Sequence, residues 1–126
     1  MKTKFQYTGI RVKNLDESIK FYTELLGMKL LSRKRVEENK GELATLSTDN
    51  GDFYLELNHY DRDSQFYSEY IVGEALDHLA FRVSNLAEAI NEAKKQGNNL
   101  LAEIKTRKSR WVYIQDPNGI WIEFLE

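Results

Sequence analysis

The chain contains no cysteine. Disulfides, thiolate nucleophiles and zinc–thiolate sites are excluded by that one absence. Proline occurs once, at Pro117, and histidine twice, at His59 and His78. Any chemistry that needs an imidazole therefore has two places to come from. An excess of charge of one sign is also missing. The 18 basic and 20 acidic residues leave a formal net charge of −2, which gives no sign of a nucleic-acid surface or a polybasic membrane anchor. No apolar run approaches the roughly 20 residues needed to span a bilayer. The first residues run directly into a strand pattern, without the apolar stretch of a signal peptide. A cytoplasmic protein that engages neither nucleic acid nor membrane is expected.

What is present suits one compact domain or two very small repeated units: 126 residues, 41% hydrophobic and 30% charged. Strand-like alternation begins at Phe5. Thr8, Ile10 and Val12 point one way, and Tyr7, Gly9 and Arg11 the other. Asn14 then reads as a helix cap, with Glu17 three residues on in the manner of a capping box. Ile19, Tyr22 and Leu26 fall on one helical face, and Gly27 ends the helix. Strands are expected over 28–36, 43–47 and 53–58, separated by turns at 37–41 and 48–52. In the last strand Phe53, Leu55 and Leu57 share one face, and Tyr54, Glu56 and Asn58 the other. From Tyr60 to Glu74 no period is visible, yet Tyr60, Phe66, Tyr67, Tyr70 and Ile71 make the stretch too aromatic for a flexible linker. A packed, partly helical connection is expected there.

The pattern then returns. Leu79, Phe81 and Val83 oppose His78, Ala80 and Arg82 on a strand, Asn85 and Glu88 repeat the capping chemistry, and Ile90 and Ala93 continue an apolar face to Gly97. Strands follow over 100–104, 110–115 and 120–125, with the turn Asp116-Pro117-Asn118-Gly119 before the last. A displacement of 71 residues superposes Arg11 on Arg82, Val12 on Val83, Asn14 on Asn85, Leu15 on Leu86, Glu17 on Glu88 and Ile19 on Ile90. In that frame Tyr7 falls on His78, and Leu55-Glu56-Leu57 resembles Ile122-Glu123-Phe124 at a slightly shorter offset. Matching caps, helix ends and terminal strands make internal duplication the better reading.

Two carboxylates, one imidazole and one phenol at equivalent points of a repeat form a candidate cluster for a divalent metal. Taken singly, Glu56 or Glu123 between large apolar neighbours reads as a solvent-facing strand residue, and His78 as structural. The duplication changes those odds, because two equivalent strands place an acid at equivalent points. His59 follows Glu56 by three residues and falls on the other strand face, as a surface or rim residue.

A βαβββ unit repeated twice, with Arg-Val after the first strand and Asp-Pro-Asn-Gly before the last, resembles the vicinal oxygen chelate superfamily. That group includes glyoxalase I, epimerases, extradiol dioxygenases and bleomycin-resistance proteins. The stretches Tyr7–Val12 and Ser18–Leu31 and the last strand are similar to small bacterial glyoxalase I. The resemblance implies an α+β fold: one domain over 1–126, with repeat 1 about 5–59, a connection over 60–75 and repeat 2 about 76–126. The units would form open, curled mixed sheets with a cleft between them, completed by dimerisation.

The resemblance also implies a metal bound by Glu56, His78 and Glu123, with Tyr7 at the fourth ligand position, where glyoxalase I has histidine. Zinc, nickel, iron or manganese suits such donors. It further implies lactoylglutathione lyase-like proton transfer on a small substrate, the hemithioacetal of methylglyoxal and glutathione. One glutamate would act as base, with Glu123 preferred over Glu56 because it shares a half with His78. Arg11 is then a partner for a glutathione carboxylate, and Tyr54 and Asn58 share the face of Glu56. The basic run Lys105–Arg110, with Lys105 and Arg107, reads either as a solvated hairpin or as an anion clamp. Trp111, Trp121 and Phe66 are candidate pocket walls. The alternatives are an epimerase or dioxygenase of the same superfamily, and a metal-free protein that binds small antibiotic-type molecules.

Overall fold

The computed structural model describes residues 2, 6–74, 76 and 78–126. The chain divides into two compact units, Met1–Tyr70 and Ile71–Glu126. The first contains β1 (Thr8–Arg11), α1 (Leu15–Lys20), β2 (Lys29–Val36), β3 (Gly41–Ser47) and β4 (Tyr54–Tyr60). The second contains β5 (His78–Arg82), α2 (Leu86–Lys95), β6 (Ala102–Lys105), β7 (Arg110–Gln115) and β8 (Trp121–Leu125). Each unit is therefore βαβββ, as the repeat predicts.

Both sheets have the same order. In the first it is β1-β4-β3-β2, and in the second β5-β8-β7-β6. The opening strand of each unit pairs in parallel with the closing one, while the other pairings are antiparallel. The helix between the first two strands covers one face of its sheet, as a crossover between parallel strands requires. On that face Ile10, Ala44, Leu46, Leu55 and Leu57 are buried in the first unit, and Val112, Ile114, Ile122 and Phe124 in the second. Because side chains alternate, the residues between these positions line the opposite face of each sheet.

The caps hold as expected. Asn14 Oδ1 accepts the Glu17 amide, and Asn85 Oδ1 accepts the Glu88 amide, each at 3.0 Å. Gly27 and Gly97 follow the helical segments with φ of +69° and +84°, a conformation that costs glycine little. The first helical face differs from expectation. Leu15, Ser18, Phe21 and Tyr22 are buried, whereas Ile19 and Leu26 are half-buried. For Leu26 the reason is a π-helical turn at Phe21–Leu25, where the Leu26 amide reaches back to the Phe21 carbonyl. Widening this turn rotates the later side chains away from a 3.6-residue stripe.

The connection after β4 is packed, as expected, but its described residues form successive turns in place of a helix. Ser64 is buried. Its hydroxyl donates to the Asn39 carbonyl at 2.6 Å and accepts the Phe66 amide. The Tyr60 and Phe66 rings meet at 5.6 Å. Among the described residues, no helix is long and apolar enough to cross a membrane.

Candidate active site

In the first unit, Glu56 on β4 stands in register with Gly9 on β1 and Thr45 on β3. Directly paired residues share a face, so the row Gly9–Glu56–Thr45 lies on the sheet surface away from α1. Tyr7, two residues before Gly9, projects from the same side and is 48% exposed. A Cβ placed on Gly9 would lie 4.0 Å from both Glu56 Oε1 and the Tyr7 ring, and 3.5 Å from Asn58 Nδ2. Tyr7, Glu56 and Asn58 therefore converge on the space that glycine leaves open. A cavity of about 190 Å³ adjoins them, lined by Gln6, Tyr7, Thr45, Tyr54 and Glu56.

Arg11 shares this strand face, but its guanidinium is engaged elsewhere. Nη1 donates to Ser68 Oγ at 2.6 Å and Nη2 to the Phe66 carbonyl at 3.4 Å. It lines a second cavity of about 460 Å³ at the carboxyl ends of β1 and β4, together with Lys13, His59, Arg62 and Tyr67. His59 falls on the opposite alternation from Glu56 and Asn58, as expected, and in register with Glu42.

The second unit repeats the arrangement with different chemistry. Glu123 on β8 is flanked by Ala80 on β5 and Tyr113 on β7. His78 stands two residues before Ala80, and its Nε2 lies 3.0 Å from Glu123 Oε2. The Glu123 side chain is 16% exposed and that of His78 34%. The Tyr113 ring meets the His78 ring edge-on at 5.9 Å and packs against Trp121 at 5.4 Å. An imidazole and a carboxylate are thus held side by side by rigid strands, with aromatic rings beside them.

The remaining candidates separate by register. Trp111 and Trp121 belong to the Glu123 face. Lys105 pairs with Arg110, on the alternation of Val112 and away from Glu123. Arg110 is tied to Glu103 at 2.7 Å. Arg107 lies in the turn closed by the Thr106 amide bonding the Ser109 carbonyl, and Phe66 belongs to the first unit's connection. Sequence reasoning missed Gly9, Thr45, Tyr113 and Ser68. The first of these was legible in the alternation of Tyr7, Gly9 and Arg11. The others required the register across strands.

Among the described residues, no group of three or more His, Asp or Glu side chains is gathered within a unit to hold a metal. Each unit instead carries two of the four positions read from the repeat. The donor types fit a divalent ion well in the second unit, where imidazole nitrogen and carboxylate oxygen already face one another. They fit less well in the first, since a phenol coordinates strongly only when ionised and its ordinary pKa is about 10.

A sequence profile of the Glyoxalase/Bleomycin resistance protein/Dioxygenase superfamily matches residues 4–124. The chain belongs to this superfamily. A lactoylglutathione lyase of Neisseria meningitidis serogroup A is 35% identical over 95% of this chain and 88% of its own length. That of Escherichia coli O157:H7 is 33% identical over 95% and 90%. Among solved structures, the trypanothione-dependent glyoxalase I of Leishmania major superposes with a TM-score of 0.77 at 31% identity, covering 99% of this chain and 87% of that one. A glyoxalase family protein from Bacillus cereus gives 0.81 at 25% identity, with 100% and 95% covered. The α+β fold and the superfamily expected from the repeat are both correct.

Proposed function

We propose that this superfamily member is a lactoylglutathione lyase-like enzyme acting on the hemithioacetal of an α-oxoaldehyde and glutathione. The observation that carries this reading is the His78–Glu123 pair at 3.0 Å, repeated in position by Tyr7 and Glu56. Two lactoylglutathione lyases at 33% and 35% identity over most of the chain support the substrate class.

In this reading Glu56, His78 and Glu123 hold a divalent ion, zinc, nickel, iron or manganese, and a homodimer completes each site. Such an ion, when bound, draws charge from the substrate's vicinal oxygens and lowers the cost of removing a proton from carbon. The protein's own residues supply the rest. One glutamate takes the proton from the carbon bearing sulfur and returns it to the neighbouring carbon. The Tyr7 phenol is placed to donate a hydrogen bond to a substrate oxygen, Tyr54 and Asn58 orient the glutathione portion, and Arg11 joins them by exchanging Ser68 and the Phe66 carbonyl for a substrate carboxylate. Lys105 and Arg107 attract its carboxylates from a distance. The enzyme works in the cytoplasm.

A metal-free binding protein is the second reading, and Tyr7 in place of the family's histidine favours it. Assaying purified protein for loss of methylglyoxal–glutathione hemithioacetal separates the two. Turnover by the wild-type protein that falls at least about 100-fold in His78→Ala is the expected result. Absence of both turnover and bound metal would leave only the binding reading.

A further inference from the structure

The guanidinium of Arg11 is held by the chain itself. Its Nη1 donates to Ser68 Oγ at 2.6 Å and its Nη2 to the Phe66 carbonyl at 3.4 Å. Both acceptors lie on the connection after β4, whose two halves are secured differently. In the first half the Asp61 amide donates to the Lys40 carbonyl at 2.8 Å, and Lys40 pairs with Asp63 at 2.6 Å. The buried Ser64 hydroxyl completes this half by donating to the Asn39 carbonyl. The second half, 65–70, is mostly exposed, and 67–70 has no regular structure. It reaches the residues after β1, where Lys13 Nζ lies 5.1 Å from the centre of the Tyr70 ring. Its residues Tyr67 to Tyr70 form one wall of the cavity of about 460 Å³. Arg11, Lys13 and Arg62 line the same cavity, and so does Glu69, a carboxylate carried by the second half itself.

We infer that residues 65–70 are a strap that Arg11 latches over this cavity, and that a ligand carboxylate unlatches it. The inference rests on the reading above only for the ligand, the glutathione portion of the substrate. A serine hydroxyl and a backbone carbonyl are neutral acceptors. A carboxylate offers the same guanidinium two parallel, charge-assisted hydrogen bonds, so it displaces them. Ser64 is the pivot, because its bond to Asn39 and the Lys40–Asp63 pair stay made while 65–70 swings away. Glu69 swings with the strap, which takes a competing negative charge out of the cavity as the ligand's arrives. The latched form offers no free guanidinium, so the apparent affinity falls with the fraction of molecules that are latched. Ser68 is therefore an internal competitor. It sets the affinity for a carboxylate that it never touches.

Chymotrypsin cuts after Phe66, Tyr67 and Tyr70, so its rate there reads how often the strap is open. Wild type, Ser68→Ala, Ser68→Asp and Arg11→Ala are compared by limited digestion and by calorimetric titration with glutathione alone. Ser68→Ala should be cut about threefold faster and bind glutathione about threefold more tightly. Ser68→Asp gives Arg11 an internal carboxylate, so it should be cut more slowly and bind about fivefold more weakly. Arg11→Ala should be cut faster and lose glutathione binding. Saturating glutathione should bring the wild-type cutting rate toward that of Ser68→Ala. Unchanged cutting in Ser68→Ala and Arg11→Ala would overturn the latch. Weaker glutathione binding in Ser68→Ala would overturn it too, by making Ser68 a ligand contact. Glutathione that binds neither wild type nor any variant would refute the carboxylate as the key to the strap. Binding and cutting that follow the latch, without turnover of the hemithioacetal, would uphold the strap and refute the lyase reading alone.

Discussion

Tyr7 is the residue on which this site departs from the glyoxalase I pattern. Its strand position matches that of His78, yet at neutral pH a phenol offers a proton where an imidazole offers a lone pair. Replacing it tests whether position or chemistry governs. Tyr7→His should tighten Ni²⁺ or Zn²⁺ binding by about tenfold or more, since it adds one nitrogen donor to the set. Calorimetric titration of chelator-stripped protein measures this directly, and an unchanged affinity would place the strand otherwise. Residue identity also explains how far the site was readable beforehand. The equivalence of the strands that carry Glu56, His78 and Glu123 was visible in the duplication, and the shared sheet order bears it out. The space beside Glu56 was not, because it depends on Gly9 and Thr45 lying in register with it, and register is a property of paired strands. For the same reason Lys105 was grouped with the site by charge, whereas its pairing with Arg110 puts it on the other alternation.

At the scale of elements, the helices and the outer strands are held by different forces. Asn85 caps α2, whose apolar side buries Leu86, Ile90 and Ala93. Asn85→Ala should cost about 1 kcal/mol, the usual value of such a cap, measured by chemical denaturation. The edge strand β2 is exposed along nearly its whole length; its backbone pairs with β3, and its arginines add exposed ion pairs. Arg33 bonds Glu42 on β3 and Asp16 on α1, and Arg35 bonds Asp61. Hydrogen bonds from Arg33 hold the Glu42 carboxyl below its ordinary value, and Arg35 does the same for Asp61. Carboxyls depressed in the folded state stabilise it above their unfolded pKa, and that stability is lost as pH falls through the folded value. The melting temperature should therefore hold steady down to about pH 4.5 and drop below it. Arg33→Ala should flatten that acid dependence while costing no more than about 1 kcal/mol at neutral pH, because the pairs are solvent-screened. The caps, helix ends and strand alternation were legible in single residues. The π turn at Phe21–Leu25 and the register shift between Leu30 and Ser32 were not, since both arise where a helix and an edge strand adjust to the sheet they meet.

For the whole molecule, the two βαβββ units repeat one plan with different chemical groups at matched strand positions. The first carries Tyr7 and Glu56 and the second His78 and Glu123, and among the described residues neither unit gathers three His, Asp or Glu side chains. The proposed homodimer should appear in sedimentation equilibrium as a species of twice the 14.8 kDa chain mass, and dilution to a monomer should lower metal affinity and activity together. The central claim is that the four positions of the repeat serve one metal-dependent proton transfer. It is tested most directly by titrating chelator-stripped protein with Ni²⁺ while following conversion of the methylglyoxal–glutathione hemithioacetal to thioester. Turnover that is absent without metal, rises with each addition and saturates at a fixed stoichiometry is the predicted result. Turnover that ignores the metal, or metal that binds without producing turnover, would contradict it.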